Sequence, residues 1–181
     1  KRLRASAMLD IKGKKIIIDA GPDFRYQMLR SQVKDLRAIL LTHGHKDHIG
    51  GLDDVRAFNW VKQGAVDVYG NEGTREVVYK DFSYAFAAFR YPGVPEINYH
   101  VIDDRPFYID DIQVVPIPVF HYKMPVLGFR IGNFAYIPDA KTIPASSMER
   151  LKGVEYLVIN ALRKELHMSH FNLEEALTMI A

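Results

Sequence analysis

Three of the chain's seven histidines lie within six positions, in the segment 42–48 with the sequence THGHKDH. The segment follows the apolar run 38–41, which is typical of a buried strand, and is followed after Ile49 by two glycines. Histidines two residues apart project to the same side of an extended segment, and Asp47 and His48 can turn back toward a second point nearby. Imidazoles and a carboxylate gathered at a strand end indicate a metal site rather than a histidine-rich surface loop.

Length and composition indicate one globular domain over residues 1–181, since the chain has 181 residues and 48% of them are hydrophobic. The formal charge is +2, from 24 basic and 22 acidic residues, so a polyanionic partner such as nucleic acid is neither demanded nor excluded. No apolar run reaches the length of a membrane span, so no membrane partner is expected. The chain has no cysteine, which makes the cytoplasm the expected compartment.

Hydrophobic periodicity and turn residues predict an α/β protein. Residues 2–19 read as a hairpin around a Lys-Gly-Lys turn, and Asn172 with Glu175 predicts the cap of a last helix. The remaining predicted strands are 66–69, 97–102, 107–109, 112–119, 127–131, 135–137 and 156–160, and the remaining predicted helices follow Pro22 and Gly51 and cover 72–79 and 146–151. The order is a strand-rich meander, a helix, a second strand-rich meander and a second helix. It favours an α/β sandwich over a parallel doubly wound sheet.

The pattern His-x-His-x-Asp-His after a strand resembles the metallo-β-lactamase superfamily, whose members share a four-layer αββα sandwich with the metals at one edge. By that resemblance, His121 matches the next ligand histidine and Asp139 matches the bridging aspartate. Each of them closes a β-rich apolar stretch, which is the usual position of functional residues on a buried scaffold. The resemblance implies two divalent ions, zinc or manganese, and the ligands are then His43, His45 and His121 on the first, Asp47 and His48 on the second, and Asp139 between them.

Within the superfamily, the chain is more closely similar to the cyclic-phosphate phosphodiesterase branch of the carbon–phosphorus lyase pathway type. The stretches that carry this resemblance are 2–6, 19–25, 42–59, the strand from Gly128 that leads to Asp139, and 167–171 with the sequence HMSHF. It implies hydrolysis of a small cyclic phosphate or nucleotide phosphodiester by a metal-bound hydroxide, and it leaves a homodimer open.

Two departures from the branch are visible. Proline stands at position 138, where threonine is expected before the bridging acid, which affects how Asp139 is oriented. Members of the branch usually begin with a further strand, often with a cysteine cluster for a structural zinc, and end with a Thr-His that supplies the last ligand. The chain is therefore expected to be the middle of a longer protein. Its own 181 residues are expected to lack the N-terminal strand and the C-terminal ligand strand of the branch, which leaves the second metal one ligand short.

The resemblance also implies roles outside the ligand set. His170 matches the branch's non-ligand histidine and is expected to protonate the leaving oxygen as general acid, the alternative being a cap for the final helix. Asp47 is assigned to catalysis as well as to the metal. Asp19 reads as an acid that orients a ligand imidazole or as a strand-end cap, and His167 as an outer or structural residue. Arg56 is expected to pair with Asp53 or Asp23, with phosphate binding as the other interpretation.

Other functions stay open at this point. One is a different hydrolase of the superfamily that acts on a thioester, a lactone or the 3′ end of an RNA precursor, although no long basic insertion that could serve as an RNA-binding arm interrupts the chain. Another is a non-enzymatic member in cofactor biosynthesis, which should show a damaged ligand set, whereas every ligand position in this span is filled. Lactam hydrolysis is disfavoured because an aspartate, and not the cysteine of many β-lactamases, stands at position 139.

Overall fold

The computed structural model describes residues 2–181, which divide after Ile102 into two compact units. Each unit is built on one five-stranded sheet. No helix within the described residues is both long and apolar enough to cross a membrane.

The sheet of the first unit has the strand order β1-β2-β3-β4-β5. Its strands are β1 (Ala7–Ile11), β2 (Lys14–Ile18), β3 (Ala38–Leu40), β4 (Val66–Gly70) and β5 (Ile97–Val101). Its helices are α1 (Phe24–Arg30), α2 (Lys46–Ile49), α3 (Arg56–Lys62), α4 (Glu72–Asp81) and α5 (Ser83–Phe86), with a 3₁₀ turn at Leu52–Val55. The predicted hairpin is present as the antiparallel pair β1 and β2, whereas β2, β3, β4 and β5 pair in parallel.

The sheet of the second unit has the order β10-β9-β8-β7-β6. Its strands are β6 (Phe107–Ile109), β7 (Ile112–His121), β8 (Met124–Ile131), β9 (Phe134–Ile137) and β10 (Tyr156–Ile159), and its helices are α6 (Ala145–Leu151) and α7 (Leu173–Ile180). All its pairs are antiparallel except β9 with β10. The predicted meander is therefore confirmed for β6 to β9. It is wrong for the first unit, where helices separate β2, β3, β4 and β5 along the chain and these strands pair in parallel.

Each unit has a cluster of buried hydrophobic side chains that packs around its strands. In the first unit, Ile16, Ile17 and Ile18 are all fully buried, as is usual for strands covered on both faces. Ile17 packs with side chains from the helices, among them Phe24 and Phe58. The cluster of the second unit includes Ile117, Val119, Val126, Ala135, Ile137 and Phe171. The candidate ligands His43, His121 and Asp139 lie at or shortly after the ends of strands, so the packed strands position them.

Asp67 on β4 is the centre of a polar cluster in the first unit. It accepts hydrogen bonds from Arg37 Nη1 at 2.7 Å, Asn98 Nδ2 at 2.9 Å and His100 Nε2 at 2.9 Å. Burial raises the pKa of Asp67, but the hydrogen bonds from His100, Arg37 and Asn98 outweigh it and hold the pKa below its ordinary value. His100 thus takes part in a structural polar cluster through its contact with Asp67.

Replacing Asp67 by asparagine is expected to lower the free energy of unfolding by about 1–2 kcal/mol at neutral pH, because Arg37 loses a charged, partly buried partner. The folded-state pKa lies below the unfolded value of about 3.9, so this stabilisation is present above roughly pH 4 and is lost as the pH falls through the lowered pKa. Urea unfolding of both proteins at neutral and at strongly acidic pH measures the difference. An equal difference under both conditions would show that the shape of the side chain matters, and not its charge.

Candidate metal centre

Asp19 lies at the end of β2 and organises the histidine-rich segment of the first unit. Its side chain is fully buried, and its backbone has φ +66°, a left-handed conformation that few residues other than glycine adopt. Its carboxylate accepts hydrogen bonds from the Thr42 backbone N–H at 2.9 Å, from Thr42 Oγ1 at 2.9 Å and from His48 Nδ1 at 2.7 Å. Of the two roles predicted for Asp19, the contact with His48 favours the acid that orients an imidazole.

These contacts determine the tautomers of two histidines. Thr42 has one hydroxyl proton and donates it to Asp19, so toward His43 Nδ1, 3.0 Å away, the Thr42 oxygen must accept. His43 then carries its proton on Nδ1, as His48 does against Asp19. In both rings Nε2 keeps its lone pair, which is the form that a metal ligand requires.

The other two predicted ligands of this segment are exposed, while His43 and His48 are buried. His45 Nδ1 lies 2.9 Å from His43 Nε2, so these two ring nitrogens face one another. Asp47 and His48 belong to the short helix α2, and the Asp47 Oδ2 to His48 Nε2 distance is 3.7 Å. The structure thus brings three imidazoles and a carboxylate of the first unit together.

Burial and hydrogen bonding oppose each other at Asp19. Burial raises the pKa of its carboxyl group, and the hydrogen bonds from His48 and Thr42 lower it without cancelling the rise. The ionised form of Asp19 therefore depends on its hydrogen bonds with His48 and Thr42.

Two glycines allow the backbone after β2 to approach the ligand segment closely. A side-chain carbon at Gly21 would overlap the Asp47 carbonyl, and one at Gly51 would overlap the Gly21 carbonyl. The same two segments are joined by backbone hydrogen bonds, from Ala20 N to the His48 carbonyl and from Gly51 N to the Ala20 carbonyl, both 2.8 Å. The Asp-Ala-Gly and Gly-Gly sequences therefore hold the ligand segment in place.

Arg56 pairs with Asp53, one of its two predicted partners, with Nη2 2.8 Å from Oδ2. Tyr84 donates its hydroxyl proton to the other carboxylate oxygen of Asp53 at 2.6 Å. Burial, together with Asp53, raises the pKa of Tyr84 to about 12, so the phenol stays protonated as a donor. This cluster links the turn after the ligand segment to helix α5.

The second unit assembles its own candidate residues. His121 ends β7, Asp139 follows β9, and His170 precedes α7. The His121 and His170 ring centres are 4.4 Å apart, and His170 Nδ1 lies 3.5 Å from Asp139 Oδ1. His121 Nδ1 donates to the Ser169 carbonyl at 2.8 Å, so the Nε2 lone pair of this ring is also available to a metal.

The cap of the final helix is formed without His170. The Asn172 side chain accepts from the Glu175 backbone N–H, and Glu175 accepts from the Asn172 backbone N–H, which is the predicted capping box. Phe171 N donates to the Ala140 carbonyl at 2.8 Å, and this bond ties the segment before α7 to the residue after Asp139. His170 is thereby held beside Asp139.

The donor set fits divalent transition ions, because imidazoles with fixed tautomers and carboxylates are the ligands that zinc and manganese sites use. Two residues that contribute to this arrangement were not predicted from the sequence. Thr42 connects Asp19 to His43, and Ser169 orients His121 through its backbone carbonyl.

Several known proteins resemble this chain in sequence or in fold. The family model described as a β-lactamase superfamily domain matches residues 14–181. A protein of Porphyromonas gingivalis named octanoyltransferase is 39% identical over 183 residues, which cover 99% of this chain and 37% of that protein. A ribonuclease Z of Nostoc punctiforme is 29% identical over 121 residues, which cover 65% of this chain and 37% of that protein. The chain thus spans little more than a third of the length of either relative.

A solved structure, described as a new diphosphatase from the PhnP family, matches with a TM-score of 0.91 and 37% sequence identity. The match covers 99% of this chain and 68% of the other. It confirms the predicted fold, an α/β protein of the metallo-β-lactamase type with two sheets, and it supports the resemblance to the phosphodiesterase branch.

Proposed function

The chain belongs to the metallo-β-lactamase superfamily, and we propose that it is a metal-dependent hydrolase, a phosphodiesterase that cleaves a small cyclic phosphate or nucleotide phosphodiester. The observation that supports metal dependence is the hydrogen bonding around buried Asp19. His48 Nδ1 donates to Asp19 directly and His43 Nδ1 donates to Thr42, so Nε2 of each ring has the lone pair that a metal ligand needs. The likeness to a diphosphatase supports phosphoryl chemistry.

We assign two divalent ions, zinc or manganese, to six side chains of this chain. In this proposal His43, His45 and His121 would hold the first ion, Asp47 and His48 would hold the second, and Asp139 would be shared by both. When bound, such ions supply a hydroxide at neutral pH and offset negative charge on phosphoryl oxygens. Asp47 would contribute to catalysis by holding the second ion.

His170 is the proton donor to the leaving oxygen in this proposal. It lies 3.5 Å from Asp139 and its side chain is 17% exposed, so it is next to a proposed ligand and still reachable by a substrate. A histidine placed beside the departing oxygen can protonate it as the bond breaks. The backbone hydrogen bond from Phe171 to Ala140 holds His170 beside Asp139.

A second candidate is hydrolysis of the phosphodiester at an RNA 3′ end, and the similarity to ribonuclease Z favours it. Both candidates break a phosphodiester bond with the same residues, so they differ in substrate size and not in chemistry. A panel of substrates separates them.

The proposed function predicts two metal ions per chain and turnover of phosphodiesters. The panel comprises a bis-aryl phosphodiester, cyclic nucleotides, cyclic ribose phosphates, a precursor RNA, an acyl thioester and a β-lactam, each assayed with zinc and with manganese. Hydrolysis of the cyclic phosphates or nucleotides is expected, together with two ions in elemental analysis of protein that was never exposed to chelator. One ion or none would reject the dinuclear site, and turnover of the thioester alone would reject the phosphodiesterase.

A further inference from the structure

Ser169 contacts two histidines of the second unit through different backbone atoms. Its carbonyl accepts the hydrogen bond from His121 Nδ1 at 2.8 Å, and its backbone N–H donates to His167 Nδ1 at 3.3 Å. The Ser169 hydroxyl lies 3.2 Å from the same His167 nitrogen. One residue therefore bears on the tautomers of both rings.

The contact with His167 determines its tautomer. A backbone N–H can only donate, so His167 Nδ1 is an acceptor and the ring proton is on Nε2. The neutral ring then offers a hydrogen-bond donor at Nε2 and no acceptor there. His167 is thus suited to contact an oxygen that accepts hydrogen bonds.

His167 lies beside the proposed proton donor. Its ring centre is 5.1 Å from that of His170, which in turn is 4.4 Å from that of His121. His167 is partly exposed, and the preceding residues Arg163 and Lys164 are exposed. Arg163 Nη2 donates to the Leu166 carbonyl at 2.7 Å, which folds the segment back on itself just before His167.

We propose that His167 is a substrate-binding residue whose Nε2–H donates a hydrogen bond to a nonbridging phosphoryl oxygen of the phosphodiester. The assignment rests on the proposed function, because it places a phosphoryl group next to His170. The three neighbouring histidines then have separate roles, since His121 binds the metal, His170 protonates the leaving oxygen, and His167 holds the phosphoryl group. The competing explanation is that His167 serves only to hold Ser169.

Two amide substitutions separate these explanations, since they preserve different ends of the imidazole. His167→Asn keeps an oxygen near the position of Nδ1, where it can accept from the Ser169 N–H, but it has no group at the position of Nε2. His167→Gln places an N–H near the position of Nε2. His100→Asn, in the first unit, is the matched control for the loss of a histidine.

We expect His167→Asn to weaken the binding of inorganic phosphate about tenfold, because one hydrogen bond to a charged acceptor is lost. The KM for the phosphodiester should rise by a similar factor, and kcat should change less. His167→Gln should restore phosphate affinity to within roughly threefold of the wild type, and His100→Asn should leave it unchanged. Calorimetric titration of the metal-loaded intact protein with phosphate measures the affinity directly, and elemental analysis measures the metal content of each variant.

The opposite pattern, with Asn behaving like the wild type and Gln impaired, would overturn the proposal in favour of a role in holding Ser169. Wild-type phosphate affinity in both variants, or loss of metal from His167→Asn, would overturn it as well. A wild-type protein that hydrolyses no phosphodiester would refute the proposed function by itself. Phosphate affinity would still decide whether His167 binds the anion.

Discussion

Replacing His45 by alanine is expected to abolish hydrolysis and to leave the fold intact. The loss in kcat/KM should exceed the ~10–100-fold that is typical when a residue that hydrogen-bonds to a metal ligand is replaced. His45 Nδ1 and His43 Nε2 face each other at 2.9 Å, so removal of one leaves a single imidazole of this pair for the metal. The His45 side chain is exposed, and its backbone carbonyl accepts from the His48 and Ile49 N–H groups, a contact that alanine retains. Turnover, bound metal and far-ultraviolet circular dichroism together measure the outcome.

His100→Ala provides the control for this substitution, because it also removes a histidine of the first unit but one that contacts Asp67. It should retain its metal and its turnover. If His45→Ala lost its circular dichroism spectrum along with its activity, the site would be structural, as in small proteins that fold only with their metal. Full turnover in His45→Ala would remove His45 from the ligand set.

The ligand segment could be predicted because its information is local. His43, His45, Asp47 and His48 lie within six positions at the end of an apolar run, and residue type and spacing alone point to a metal. The four-residue helix α2 that carries Asp47 and His48 was not predicted, since it is too short to show helical periodicity.

The residues that orient the ligands could be predicted only in part, because their partners are distant in sequence. Asp19 was expected to be either an orienting acid or a strand-end cap, and only the 2.7 Å contact with His48 distinguishes the two. Thr42 is 23 residues from Asp19, and Ser169 is 48 residues from His121. Ser169 acts here through its backbone carbonyl, which every residue type has, so its own side chain gives no signal of this role.

Strand direction in the first unit was missed for a different reason. A run of three buried residues such as Ile16 to Ile18 has no alternation, and it indicates a strand covered on both faces without giving the direction of its neighbours. The helical patterns between the strands were the available signal for parallel pairing, since a crossover needs about a dozen residues or more. In the second unit, by contrast, short turns between β6, β7, β8 and β9 allow antiparallel pairing only, and the meander was predicted there correctly.

Replacing His170 by alanine is expected to slow the hydrolysis of substrates with alkyl leaving groups by ~10²–10⁴-fold, the usual contribution of a positioned general acid. An alkoxide is a poor leaving group unless it is protonated as the bond breaks, and His170 is the proposed source of that proton. An aryl leaving group of low pKa departs without a proton, so the same variant should lose far less activity on an activated aryl phosphodiester. The ratio of the two losses, measured as kcat/KM on both substrates, reports proton transfer directly.

The geometry around His170 makes the competing explanations distinguishable. Its Nδ1 lies 3.5 Å from Asp139 Oδ1, so a purely structural role would act by moving that proposed ligand and would slow both substrates equally. A ligand role would appear as the loss of an ion in elemental analysis of His170→Ala, whereas a general acid leaves the metal content unchanged. Selective loss on the alkyl substrate with both ions retained is therefore the one result that identifies His170 as the proton donor.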